Sequence, residues 1–158
     1  MKRASRADAN GVKLRLLLPI VLLAGLALAP AAVAVPVSEQ GDAGETAATA
    51  QNLTTQLVTS IGGQLAGADS DLYRICLAGG RTFSATTVGT TTTDTQLFLF
   101  DGAGRGVYAN DNSADTRQST LPAGDPLTPA APGEYLLAVS PYDRDPESDA
   151  GAIFNNVA

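Results

Sequence analysis

Histidine and tryptophan are absent from this 158-residue chain, cysteine occurs once, and the last lysine is Lys13. Each absence closes a route to chemistry. Without histidine there is no Ser–His or Cys–His nucleophile pair and no imidazole metal ligand. Without lysine beyond residue 13, the body of the chain has no Schiff base and no Ser–Lys dyad. One cysteine cannot build a zinc or iron–sulfur site. Four tyrosines and four phenylalanines, with no tryptophan, supply little for a sugar-stacking groove. Positive charge is also scarce after the start. Residues 1–34 carry a net charge of +4, whereas residues 35–158 carry five arginines against 15 carboxylates, a net −10. A surface of that sign repels phosphate, which argues against nucleic acid as a partner.

The basic start (Lys2, Arg3, Arg6, Lys13, Arg15) leads into 20 uncharged residues, 16–35. The segment ends in Pro30 and the small-x-small triplet Ala32-Val33-Ala34. This order reads as a secretory signal peptide over residues 1–34, cut after Ala34. The rival is an uncleaved membrane anchor, because ~20 apolar residues span a bilayer. No cysteine stands at the end of the apolar stretch to accept a lipid, and no twin-arginine signal is present. The expected location is therefore secreted, periplasmic or at the cell surface. Contact with a membrane is expected only through the leader, if it stays attached.

Residues 35–55 are small, polar and rich in Gly, Ala and Thr, and read as a lead-in segment. Within it, residues 45–53 offer at most a turn of helix, weakened by threonine. Residues 56–158 then alternate short β-type runs with turn residues. The runs are 56–61, 72–77, 82–88, 96–100, 107–109 and 135–140, closing on Gly62-Gly63, Gly79-Gly80, Asp101-Gly102, Asn110-Asp111 and Pro141. Six or more short strands at this spacing predict an all-β sandwich or barrel. Alternation sorts their faces. Tyr73, Ile75 and Leu77 share one side, against Leu72, Arg74 and Cys76. Leu97 and Leu99 oppose Gln96, Phe98 and Phe100. The second run is apolar on nearly both faces and belongs near the centre. Cys76 reads as a small buried hydrophobe on a strand, with a partner in another chain or segment as the alternative.

Other motifs carry little. Residues 102–106 (Gly-Ala-Gly-Arg-Gly) have the wrong spacing for a phosphate loop and precede a strand, so they read as a hairpin turn. Thr90–Thr93 reads as a solvated loop or strand edge. Asn52-Leu53-Thr54 matches the glycosylation sequon. Ile153 and Phe154 resemble the start of a further strand, so the sandwich is expected to lack its last strand or strands, as a fragment would.

The remaining chemistry is carboxylate. Acids cluster at Glu39, Asp42 and Glu45; at Asp69 and Asp71; at Asp94, Asp101, Asp111 and Asp115; and at Asp143, Asp145, Glu147 and Asp149. Calcium takes six to eight oxygens and tolerates irregular loops, so acid-rich loops beside strands are candidates. No stretch is an EF-hand. Counting from Asp111, Thr116 and Pro122 stand where glycine and glutamate are required. For 143–149 the competing reading is a solvated acidic loop. For Asp69 and Asp71 it is a turn into the strand.

The order of motifs resembles the bacterial pre-peptidase C-terminal domain. Residues 42–50 (Asp-Ala-Gly-Glu-Thr, then Ala-Thr-Ala) resemble its Glu-x-Asn-Asp-Thr…Thr-Ala opening. Ile61-Gly62-Gly63-Gln64-Leu65 resembles Ile-x-Gly-x-Leu, and Asp69-Ser70-Asp71-Leu72-Tyr73 resembles Asp-x-Asp-x-Tyr. Residues 94–101 are similar to the family's Asp-Thr-x-Leu-x-Leu-Phe-Asp strand. Residues 106–112 resemble its Gly…Asn-Asp-Asp turn, and 132–139 its Pro-Gly-x-Tyr-Tyr-Leu strand. The likeness runs in order from Asp42 to Phe154. It implies a jelly-roll-like antiparallel β-sandwich, a non-catalytic companion of secreted bacterial proteases and other exported proteins. Related collagen-binding modules of bacterial collagenases hold calcium where the lead-in meets the Asp-x-Asp strand. By position, the resemblance places Asp42, Glu45 and Asp71 at such a site, with Asp69 as a fourth candidate.

Three functional expectations follow. The first is an exported, non-catalytic sandwich module stabilised by calcium. The second is a surface or matrix binding protein that holds a protein or polysaccharide partner on the same sandwich. The third is a carboxylate-only hydrolase, which needs two acids roughly 5–9.5 Å apart across a cleft.

Overall fold

A computed structural model describes residues 33–154. The leader expected over residues 1–34 therefore lies almost wholly outside the described residues, as do residues 155–158. Among the described residues no helix is long and apolar enough to cross a membrane, and the secondary structure is entirely strand and turn.

Eleven strands follow in chain order: β1 Ala34–Ser38, β2 Gln51–Asn52, β3 Leu57–Gly62, β4 Asp71–Leu77, β5 Ala85–Thr86, β6 Thr95–Asp101, β7 Gly106–Asn110, β8 Thr120–Leu121, β9 Gly133–Pro141, β10 Glu147–Ser148 and β11 Gly151–Ala152. Five of them form the main sheet in the order β2-β4-β9-β6-β7. The long antiparallel ladders β4–β9 and β6–β9 place the late strand β9 between two earlier ones. Two-stranded sheets β1–β3, β5–β8 and β10–β11 complete the fold.

Period-two alternation builds the core. One face of the main sheet presents Tyr73, Ile75, Leu97, Leu99 and Tyr108. These pack with Val37 of β1, Val58 and Ile61 of β3, Phe83, and Leu121 of β8. The sheets β1–β3 and β5–β8 thus form a second layer over this face, as in a β-sandwich. The other face carries Phe98, Phe100, Leu136 and Ala138, covered by Ala50, Leu72, Ala109, Ile153 and Phe154. The face assignments read from the sequence for 72–77 and 96–100 both hold. Strand β6 is interior to the sheet, and its first six residues are buried.

Several expectations change. The sheets are not purely antiparallel, because β1–β3 and β2–β4 pair in parallel. The reason is the lead-in. Residues 34–38 and 51–52 form strands that lie along strands later in the chain, and each pair is joined by a crossover instead of a tight hairpin. Pro36 lacks a ladder donor, yet it is tolerated because β1 pairs on one side only, with a register shift beside it. Residues 45–53 form a turn in which the Thr46 carbonyl accepts from the amides of Thr49 and Ala50, and then enter β2. Of the expected run 82–88, only Ala85–Thr86 is strand. Ile153 and Phe154 do not begin a strand. The Phe154 ring packs 5.4 Å from both Phe98 and Phe100. Cys76 lies on β4 as expected but is exposed, since the outer side of β4 at that level meets Glu134 and carries no covering layer.

Residues 101–106 make the expected hairpin between β6 and β7. The Asp101 carboxylate accepts from the backbone amides of Arg105 and Ala103. These bonds, the Arg105 amide first, hold its carboxyl below the usual range.

Candidate metal centre

The lead-in delivers its acids to the start of β4. The backbone of Glu39 continues β1, and its amide donates to the Gly62 carbonyl at 2.8 Å. Its carboxylate joins two loops, accepting from Ala43 N at 3.0 Å through Oε1 and from Gln64 N at 3.1 Å through Oε2. Gly63 permits this approach. A Cβ there would lie 2.5 Å from Glu39 Oε2.

Asp42 opens a tight turn in which its Oδ1 accepts from Gly44 N at 2.9 Å. Gly44 adopts φ +71°, and a Cβ on it would sit 2.5 Å from Thr49 Oγ1, so only glycine fits. The Gly44 carbonyl then accepts from Leu72 N at 3.1 Å, which stitches the turn to β4 beside Asp71. Asp71 is the first residue of β4, on the same face as Tyr73 and Ile75, and so points toward the layer of β1 and β3.

These elements bring Glu39, Asp42 and Asp71 together. One carboxylate oxygen from each lies within 4.8 Å of the others. Asp71 is only 1% exposed, and its Oδ1 has no hydrogen-bond partner among the described residues. None of the ion pairs among the described residues involves the trio; they join Arg74–Glu134, Arg105–Asp101 and Arg117–Asp94. Burial, followed by the charge and contact of Glu39 and the charges of Asp69 and Asp42, pushes the Asp71 carboxyl up to about 7. Burial, then the charge of Asp71 with those of Glu39 and Asp69, also raises the neighbouring Tyr73 phenol.

A buried carboxylate oxygen without a partner costs roughly 1–3 kcal/mol, and more when charged. Three acids with no cation among them relieve that cost by holding a proton or a metal ion. The donor set is all hard oxygen, from a turn and two strand ends, which suits calcium. Glu39, Asp42 and Asp71 would hold the ion.

The sequence-derived ligands divide accordingly. Asp42 and Asp71 meet. Asp69 acts on Asp71 through its charge, but its Oδ1 accepts from Ser70 N at 2.9 Å, the turn-forming role. Glu45 is exposed and stands outside the trio. Glu39 is the third acid that lies beside Asp42 and Asp71. Its signal was the acid immediately after Val35-Pro36-Val37-Ser38, which alternates as a strand does. No family model matches the chain, and neither curated proteins nor solved structures give a match.

Proposed function

We propose that the chain is an exported, non-catalytic accessory module, a jelly-roll-like β-sandwich of the pre-peptidase C-terminal kind, stabilised by calcium. The observation that carries this reading is the buried, unpartnered Asp71 oxygen facing Glu39 and Asp42. Calcium there would tie the lead-in, through Glu39 and Asp42, to the first residue of the central β4. Its chemistry is that of a clamp. It neutralises three like charges and links segments about 30 residues apart in sequence, the kind of closure whose entropy a bound ion offsets. The extracellular compartment expected from the leader supplies calcium continuously, so a site of modest affinity stays filled.

The test is a pair of thermal melts of the full chain, in excess calcium and in chelator. A cooperative transition that rises in calcium supports the clamp. A cooperative transition at the same temperature in both buffers removes calcium from the function.

A further inference from the structure

The main sheet ends on β7, which pairs with β6 alone. Among the described residues, no backbone–backbone hydrogen bond outside that ladder reaches residues 106–110. The outer side of β7 borders a groove of about 830 Å³, bounded by β7 and the turn after it on one side and by β8 and the loop after it on the other. Side chains, not a backbone ladder, join these two walls. Asn110 Oδ1 accepts from Thr120 N at 2.8 Å, and the Tyr108 hydroxyl donates to the Pro122 carbonyl at 3.5 Å. The strand partner of β8 is β5.

An open edge is a template for a further strand, and sheets blunt such edges with lysine, proline or inward-pointing charge. Strand β7 reads Gly-Val-Tyr-Ala-Asn and carries none of these. Its one irregularity lies near its start, opposite Leu99 and Phe100; from Tyr108 to Asn110 the pairing is regular. The groove beside it offers apolar footing. Val107 and Phe154 line it, and so does Leu127, which keeps 58% of its surface in water. The charge of the groove has one sign. Asp111 and Asp125 line it, and no lysine or arginine does. The guanidinium of Arg81, close to Asp125, is engaged by the carbonyls of Asp125 and Pro126. Residues 35–158 as a whole carry a net −10. Two copies of the chain therefore repel each other, whereas a basic strand is drawn in.

We infer that the β7 groove is a docking site for an extended, basic segment of a partner protein, which joins the main sheet as a further strand beyond β7. The unpaired backbone edge of β7 supplies the hydrogen bonds, which hold any extended chain. Side chains supply the choice. The period of two in the added strand sets apolar residues against Val107, Leu127 and Phe154 and brings lysine or arginine toward Asp111 and Asp125. The site lies at the opposite end of the sheet from β2, so it owes nothing to an ion at Asp71.

The experiment titrates short synthetic peptides into the full chain and follows its amides by NMR and by hydrogen exchange. The probe alternates lysine with valine. One control carries glutamate in place of lysine; the other is the lysine peptide N-methylated at every residue, which cannot donate to β7. With the probe, saturable shifts and slowed exchange are expected over Val107 to Asn110, weakening as salt rises. Neither control should produce them. Asp125→Asn keeps an acceptor for the Leu127 amide and should weaken binding about threefold. Leu127→Ala, at a side chain already mostly in water, should weaken it without loss of the fold. Absence of shifts on β7 overturns the inference, as does equal binding of either control. Two other outcomes overturn it and name a different occupant. Outward β7 amides that exchange slowly in the free chain at every concentration assign the edge to residues 155–158. Protection that grows with protein concentration assigns it to a second copy.

Discussion

Replacing Asp71 by asparagine separates a metal ligand from a merely structural acid. The change keeps side-chain size and removes the charge. In chelator at about pH 8, two effects oppose each other. Losing an ionised group that is 1% exposed, beside Glu39 and Asp42, relieves repulsion. Leaving an amide there with an unsatisfied group costs roughly 1–3 kcal/mol. The metal-free melting temperature should therefore move by only a few degrees. Calcium breaks the balance. An ion at 100 times its dissociation constant adds ~2.7 kcal/mol to the folded state. At ~4 °C per kcal/mol for a domain of this length, the wild-type chain gains about 10 °C. The variant should lose most of that gain. Melts followed by circular dichroism, two proteins in two buffers, give the answer. If Asp71→Asn lowers the transition equally with and without calcium, or keeps the full calcium rise, Asp71 is not a ligand and the reasoning fails.

Three further outcomes follow. In chelator, the folded-state Asp71 carboxyl near 7 against an ordinary unfolded value means that the folded chain binds the extra proton. Its contribution to stability is full below about pH 4 and is lost as pH rises through about 7, so the Asp71-dependent part of the melting temperature falls between those limits and is absent in Asp71→Asn. Calcium affinity should run the other way and weaken below pH 7, as calorimetry across pH would show. Gly63→Ala, whose Cβ meets the Glu39 carboxylate, should weaken calcium binding by about tenfold, in the range typical of groups that orient ligands, with little change in chelator. Amino-terminal sequencing of the protein recovered from outside its producing cells should begin at Val35. An intact basic start would assign the leader to a membrane anchor.

The central strands were legible because their chemistry is local. Leu97 and Leu99 against Phe98 and Phe100 announce a strand buried on both faces, and Asp101-Gly102 announces the hairpin after it. The lead-in was not legible. Strands β1 and β2 are short, contain proline or polar residues, and gain their pairing from β3 and β4 far along the chain. Because β1 was unseen, Glu39 lost its place beside Asp71, and the acid nearest in motif position, Glu45, stood in for it. The exposure of Cys76 likewise depends on which side of β4 remains uncovered, a property of the layers and not of the run. Asp94 and Asp111 were visible as acids. The burial of one oxygen of each depends on β6–β7 register and on Ser119, which only the folded chain reveals.

The most direct measurement is anomalous diffraction from crystals of the full chain grown with a lanthanide in place of calcium. A peak bonded to carboxylate oxygens of Glu39, Asp42 and Asp71 is expected, at the ~2.3–2.6 Å of calcium-type ligands. A map with no peak there, and the Asp71 oxygen hydrogen-bonded to a neighbouring acid, would contradict the calcium clamp.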